Sequence, residues 1–152
     1  MRRHFLRRRK HSETMLELET ETFTYTDRKG NAITLTLTEA DVERGTQRFT
    51  INAQMKKVVE DAQAAGHPYS PEAAYDLTLI FPNLVASVTK AEGLNWPPTA
   101  DEFLRMPEQL WDKWSTVARR LNPHWFPEAR LAPTVEEEKK EPSGEPTPST
   151  SA

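Results

Sequence analysis

The sequence predicts an α+β fold that is mainly α, in which an N-terminal β-hairpin is followed by a small helical bundle. Three observations predict it. Threonine and aliphatic residues alternate with period two over residues 16–37. Apolar residues recur three and four positions apart over residues 51–65 and 110–121. Helix start and stop signals separate these segments. A single folded domain is expected over residues 15–131, with its helices within residues 39–121.

The first predicted element is the β-hairpin. Ile33, Leu35 and Leu37 alternate with threonines, a pattern typical of a strand with one buried face. Residues 27–31 read Asp-Arg-Lys-Gly-Asn and supply the turn, in which Gly30 tolerates a positive φ. Because an isolated hairpin is marginal in water, the aliphatic face is expected to rest on the helices that follow.

The first helix is predicted from an apolar stripe that ends at a glycine. Thr38 is expected to be its N-cap, with acidic residues in the first turn. Gly66 and Pro68 mark its end. The stripe consists of Ile51, Met55, Val58, Ala62 and Ala65.

The second helix is predicted to be the centre of the core. Ser70 and Pro71 open it as the N-cap and the first helical residue. Residues 77–88 form the most hydrophobic stretch of the chain. The helix is expected to kink or break at Pro82, which lacks a backbone donor, and its apolar face is expected to continue until Gly93 stops it.

Two more helices are predicted in the tryptophan-rich half of the chain. Thr99 and Glu102 have the spacing of a capping box, which starts a short helix. Pro107 begins a longer helix, and Asn122 and Pro123 end it. The apolar stripe of the longer helix consists of Leu110, Trp111, Trp114, Val117, Ala118 and Leu121.

The two ends of the chain differ from this body in composition. Residues 1–14 form a basic arm, which is expected to be disordered or to lie upstream of a true start at Met15. Binding of nucleic acid or another polyanion, and targeting, remain alternatives for the arm. Residues 132–152 form an acidic tail rich in Pro, Ser and Thr. The tail is expected to be disordered, because it has too few apolar residues to form a core. The basic residues of the arm are Arg2, Arg3, Arg7, Arg8, Arg9 and Lys10.

Composition excludes several kinds of chemistry. The chain has no cysteine, so disulfides, thiol nucleophiles and thiolate zinc sites are excluded. It also lacks a glycine-rich phosphate loop and any apolar run long enough to span a bilayer. His67 and His124 do not pair with other ligands at metal-binding spacing. We therefore expect no catalytic residue, no cofactor, no metal, no membrane insertion and no enzymatic activity.

All 4 tryptophans fall within residues 96–125. Packing in the core is one interpretation, and a partner-binding groove is the other, because tryptophan dominates binding hot spots. Trp96 and Trp125 lie beside prolines in loops and are expected to be exposed anchors. The candidate partner-binding residues are Trp96, Phe103, Trp111, Trp114, Trp125 and Phe126.

Four features occur together in residues 70–127. They are a hydrophobic helix interrupted by Pro82, the segment Pro-Thr-x-x-Glu-Phe-Leu-x-x-Pro at Pro98–Pro107, a tryptophan-bearing helix, and Asn-Pro-x-Trp at Asn122–Trp125. In this combination the segment resembles the tail assembly chaperones of long-tailed bacteriophages.

This resemblance implies a non-enzymatic assembly factor. Such chaperones coat the helical tape measure protein, keep it soluble and recruit tail tube subunits, so the tape measure protein and the tail tube protein are the implied partners. The resemblance implies a location in the host cytoplasm and absence from the mature virion, and it leaves a homo-oligomer open. Two other functions also remain open: a minor phage structural or morphogenesis protein, and a nucleic-acid-binding accessory protein that uses the basic arm.

Overall fold

The computed structural model describes residues 16–126 and confirms an α+β, mainly α, fold. The basic arm (1–14) and the acidic tail (132–152) lie outside the described residues. The elements in order are β1 (Thr20–Thr26), β2 (Ala32–Thr38), α1 (Val42–Ala64), α2 (Pro71–Tyr75), a π-helical turn (Asp76–Ile80), α3 (Phe81–Ala86), β3 (Val88–Glu92), α4 (Ala100–Leu104), α5 (Glu108–Leu121) and a 3-10 turn (Pro123–Trp125).

The predicted hairpin is present and belongs to a larger sheet. Strands β1 and β2 pair in antiparallel register from Thr20 opposite Thr38 to Thr26 opposite Ala32. Leu35 is fully buried, as expected for the aliphatic face of β2. In the turn, the Asp27 carboxylate accepts hydrogen bonds from the backbone N–H groups of residues 29 and 31, each at 2.8 Å. The hairpin therefore packs one face on the helices and leaves a threonine face outside.

The prediction that the central helix continues to Gly93 is wrong. Helix α3 ends at Ala86, and residues 88–92 form β3, which pairs antiparallel with β2 in the sheet order β1-β2-β3. The apolar spacing of residues 77–88 does continue past the helix end. However, the backbone groups along the edge of β2 need partners, and the β-branched Val88 and Thr89 suit a strand.

The predicted N-cap of the first helix is also wrong. Asp41 caps α1, because its side chain accepts a hydrogen bond from the Arg44 N–H at 2.9 Å. Thr38 is buried at the end of β2, where its own N–H donates to the Ser87 carbonyl at 2.9 Å. The chain needs residues 39–41 to turn from the sheet into the helix, so the cap falls three positions later.

The core lies between the inner face of the sheet and helices α3 and α5. Leu77, Leu84 and Trp114 are fully buried within it. Pro82 is accommodated without breaking the helical segment, since the Phe81 N–H donates to the Asp76 carbonyl across the π-helical turn. The expected distortion at this proline therefore takes the form of a wider helical turn.

Helix α1 packs differently from the rest of the molecule. It has 23 residues and none of them is buried. Its stripe is only half-buried at Ile51, Met55 and Val58, and Phe49 on the opposite side is 64% exposed. None of the helices within residues 16–126 has the length and apolar character needed to cross a membrane.

The chain after α5 folds back onto the core as a short aromatic hook, residues 122–126. The buried Asn122 side chain accepts from the Ala40 N–H at 2.9 Å and donates to the Thr38 carbonyl at 3.0 Å. The Asn83 side-chain amide donates to the Trp125 carbonyl at 2.6 Å. These bonds tie the hook to the end of β2, to the connection between β2 and α1, and to α3, and so fix the end of α5.

Candidate partner-binding groove

Three of the predicted aromatic residues form one cluster. The Phe103 and Trp114 ring centroids are 6.5 Å apart in an edge-to-face arrangement, and those of Trp96 and Trp114 are 5.8 Å apart. Phe81 extends the cluster, with its centroid 4.8 Å from that of Phe103. Trp114 is fully buried, and its indole N–H donates to the Leu84 carbonyl at 3.2 Å. Trp114 is therefore a satisfied core residue.

The expectation that Trp125 is exposed is wrong. Trp125 is 3% exposed, and Phe126 beside it is fully buried. The Arg48 guanidinium lies 4.6 Å from the Trp125 ring centroid, and the Arg119 guanidinium lies 5.1 Å from that of Phe126. The neighbouring prolines indicate that this segment is irregular. They do not indicate that it folds back onto the core, where Arg48 and Arg119 cover its two rings.

An open apolar groove remains at the junction of α4 and α5. Its volume is about 340 Å³. Phe103 is buried at the groove, while Leu104, Met106 and Trp111 are half-buried. Two acidic residues complete its lining. The residues that line the groove are Asp76, Phe103, Leu104, Met106, Glu108 and Trp111.

A second, smaller groove adjoins the first. Its volume is about 210 Å³, and Met106 lines both grooves. Ile33 reaches it from the sheet and Leu110 from α5, while Leu94 and Pro98 come from the loop between β3 and α4. Met106 therefore separates two neighbouring apolar depressions. A flexible, unbranched thioether side chain at such a position can adjust to different apolar partners.

The capping box predicted at Thr99 positions one wall of the grooves. The Thr99 hydroxyl accepts from the Glu102 N–H at 3.1 Å, and the Glu102 carboxylate accepts from the Thr99 N–H at 2.8 Å. The same carboxylate accepts from the Asn95 side-chain amide at 3.0 Å. The Asn95 bond and then the Thr99 N–H lower the pKa of Glu102 below its ordinary value. Helix α4, only five residues long, is therefore fixed at its start by side-chain bonds.

A tyrosine outside the helix adds a further link to α4. The Tyr69 hydroxyl donates to the Asp101 carboxylate at 3.3 Å. Burial, and then the neighbouring Asp101 charge, raise the pKa of Tyr69. The chain that enters α2 is thereby connected to the first turn of α4, the helix that carries Leu104.

The structure divides the six candidate partner-binding residues into two groups. Phe103, Trp114, Trp125 and Phe126 are buried. Trp96 and Trp111 are half-buried, and Trp111 alone of these two lines the larger groove. Their role in partner binding stays a prediction. The alternative nucleic-acid candidates in the basic arm lie outside the described residues.

Four residues that line the larger groove are not among the predicted partner-binding residues: Asp76, Leu104, Met106 and Glu108. Leu104 and Met106 are both half-buried at the groove. Met106 lies in the connection between α4 and α5, where no helical periodicity applies. A signal was available, because an apolar residue just before Pro107 in a short connection has few places to be buried.

The lining of the larger groove is mostly apolar. Within residues 16–126, no group of three or more His, Cys, Asp or Glu is placed to hold a metal ion. The side chains at the groove are mostly alkyl, thioether and indole groups, which gain free energy by burying apolar surface of another molecule. The fold and the groove define a small α+β protein that presents an apolar, aromatic-lined depression.

Comparison of the chain with protein-family models, with curated proteins and with solved structures finds no match.

Proposed function

We propose that this protein is a non-enzymatic tail assembly chaperone of a long-tailed bacteriophage. It binds an apolar helical segment of the tape measure protein, keeps that protein soluble and helps to recruit tail tube subunits. It acts in the host cytoplasm and is left out of the mature virion. The resemblance of residues 70–127 to such chaperones supports the proposal, and the larger groove is formed entirely by residues of this same segment.

The open apolar groove at Trp111 is the observation that carries the proposal. A long amphipathic helix presents an apolar stripe that aggregates when it is exposed. A groove lined by aromatic and aliphatic side chains covers such a stripe by accepting its projecting residues. Trp111 is well suited to this role because α5 and its buried stripe already hold it in place, so little conformational entropy is lost on binding.

The acidic lining of the groove indicates which part of a client helix fits. Asp76 and Glu108 both line it, next to the apolar side chains. A client stripe flanked by lysine or arginine would place its positive charges near these carboxylates. Such complementary charges favour the correct register over alternatives. The proposed client segment is therefore an apolar helical stripe with basic neighbours.

Co-expression with the tape measure protein of the same phage tests the proposal. We expect the soluble fraction of the tape measure protein to rise several-fold when the full chain is present. Trp111→Ala removes the half-buried indole from the groove and is expected to abolish most of this gain. Phe49→Ala is the matched control, because Phe49 is a large exposed side chain on α1, away from the groove.

Two outcomes would contradict the proposal. One is a soluble fraction of tape measure protein that does not change when the chain is added. The other is an equal loss from Trp111→Ala and Phe49→Ala, which would show that the groove has no special role. Mass spectrometry of purified virions separates the proposal from a minor structural protein, since a chaperone is expected to be absent from them.

A further inference from the structure

Strand β1 has a backbone edge that no other strand of the described residues covers. The sheet order is β1-β2-β3, so β1 is an outer strand. The Asp27 N–H donates to the Asn31 carbonyl, and the Glu39 N–H donates to the Glu19 carbonyl. Odd-numbered residues of β1 therefore bond to β2. Because neighbouring residues of a strand point their backbone groups to opposite sides, the even-numbered threonines direct theirs to the free edge.

The opposite edge of the sheet is protected in ways that β1 is not. Strand β3 has five residues and carries Lys90 and Glu92. The Arg44 guanidinium donates to the carbonyls of Ala86 and Val88 at 3.2 and 3.1 Å, which occupies the start of that edge. Strand β1 has seven residues and contains neither proline nor lysine. Proteins commonly block an edge that must not pair, so the open β1 edge is a candidate pairing surface.

The sequence of β1 is complementary to itself in an antiparallel arrangement. It reads Thr-Glu-Thr-Phe-Thr-Tyr-Thr. When a second copy is reversed about Phe23, Thr20 lies opposite Thr26 and Thr22 lies opposite Thr24. Threonines opposite one another already form hydroxyl hydrogen bonds within the hairpin, where Thr22 and Thr36 are 2.9 Å apart. Across the free edge the threonines would again lie opposite one another, here as pairs whose backbone groups bond and whose Cα atoms are farther apart.

We propose that two copies of this chain pair antiparallel through β1, centred on Phe23, to form a continuous six-stranded sheet. In this register the even-numbered threonines form the hydrogen-bonded pairs, with two backbone bonds per pair. Phe23 meets Phe23 of the second copy at the central non-hydrogen-bonded pair, where side chains approach most closely. The pairing uses every residue of β1. The larger groove at Trp111 contains no residue of β1, so the pairing does not involve it in either copy.

The one acidic side chain within β1 does not oppose this pairing. An uncompensated charge at a sheet edge repels a second copy of the strand. Glu21 faces the helices. It is instead paired with Arg120 of α5, which also binds Glu19 at 3.0 Å. The charge is thus compensated within each copy. Tyr25 would lie opposite Glu21 of the second copy and brings no like charge to it.

Sedimentation equilibrium of the full chain, from micromolar to millimolar concentration, tests the pairing. The wild type is expected to be a dimer in equilibrium with monomer. Thr22→Pro removes one N–H from the free edge while sparing the β1–β2 bonds, and is expected to weaken dimerisation by about tenfold or more. Thr22→Val also lacks the hydroxyl but keeps the N–H, and is expected to dimerise like the wild type. Circular dichroism of each variant reports whether the fold is retained.

Disulfide trapping tests the register, since the wild-type chain has no cysteine. Thr22→Cys and Thr24→Cys chains are mixed and oxidised. The proposed register places residue 22 of one copy opposite residue 24 of the other, within the Cα separation that a disulfide spans. We expect the mixed product. A monomeric wild type, a dimer unaffected by Thr22→Pro, or products linking like positions would overturn the proposal.

Discussion

At the scale of single residues, Trp111 and Trp114 show what a helical stripe can predict. They are three positions apart, and the sequence correctly places both on the apolar side of α5. Trp114 is nevertheless fully buried, while Trp111 is only half-buried at the groove. The difference depends on which element lies across from each indole. That information is in the tertiary arrangement of α3 and α4, and the spacing within α5 does not contain it.

Arg48 of α1 makes contacts that spacing along the chain does not reveal. Burial lowers the pKa of Arg48, and its Nε has no hydrogen-bond partner among the described residues. Its guanidinium contacts the rings of Trp125 and Phe49, with centroid distances of 4.6 and 4.9 Å. Stacking on aromatic faces compensates part of the lost hydration of the cation. The contact of Arg48 with Trp125 adds a link between α1 and the aromatic hook, and no local sequence pattern predicts it.

Glu102 is expected to make the stability of the groove wall depend on pH. Hydrogen bonds from Asn95 and from the Thr99 N–H lower the pKa of Glu102 in the folded state below the ordinary 4.5. The unfolded chain lacks these bonds and takes up the proton at higher pH. The stabilisation is therefore complete above about pH 4.5 and is lost as the pH falls through the lower, folded-state value.

Replacing Glu102 with Gln removes this titration. We expect the urea midpoint of the wild type to fall more steeply than that of Glu102→Gln as the pH is lowered from about 5 to 3. Asn95→Ala removes the largest cause of the shift and is expected to give an intermediate slope. Parallel pH profiles for the wild type and Glu102→Gln would show that this carboxylate does not couple protonation to folding.

At the scale of elements, the sequence predicted best where the signal was local. The caps at Ser70 and Thr99 are confirmed, because each side chain bonds an N–H three residues along the chain. The cap at Thr38 and the long second helix were wrong. Both errors concern residues that pair with a distant segment, since Thr38 bonds Ser87 and β3 pairs with β2. Such pairing overrides local propensity because it satisfies backbone groups of the sheet.

The end of β3 is expected to be sensitive to a single added methyl group. Gly93 has a φ of +92°, and a Cβ built there would lie 2.2 Å from the Ala32 carbonyl oxygen. Gly66 has a similar φ of +86° but nothing within 4 Å of such a Cβ. Gly66→Ala is expected to cost about 1–2 kcal/mol from backbone strain alone. Gly93→Ala is expected to cost more, because the strand backbone must also move.

Urea unfolding of the two alanine variants checks this expectation. The free energy of unfolding should fall further for Gly93→Ala than for Gly66→Ala, with comparable m-values. The comparison controls for the left-handed conformation, which the two glycines share, and isolates the contact with β2. Equal losses would mean that β2 and β3 accommodate the methyl group without strain, and that the close approach at Gly93 does not constrain the sheet.

At the scale of the whole molecule, one buried cluster joins the sheet, α3, α5 and the aromatic hook. Residues separated by more than 80 positions bond directly, as Asn122 does with Ala40 and Thr38. Helix α1 contributes only half-buried side chains to this arrangement. The buried cluster is therefore expected to unfold as one cooperative unit, on which α1 lies as a less firmly held layer. Sequence periodicity found α1 readily, but it gave no indication of how shallowly the helix packs.

This layering predicts two levels of amide hydrogen exchange. Residues 60–64 at the end of α1 are largely exposed, so their amides are expected to exchange by local fraying, with little dependence on denaturant. The amides of Leu35 and Leu84 lie in the buried cluster and are expected to exchange only through global unfolding, with the full denaturant dependence of the equilibrium transition. Exchange followed residue by residue by NMR at low urea concentrations distinguishes the two classes. If residues 60–64 followed the same denaturant dependence as Leu84, α1 would have to unfold together with the core. Half-burial would then be enough to bind a helix of this length into the cooperative unit.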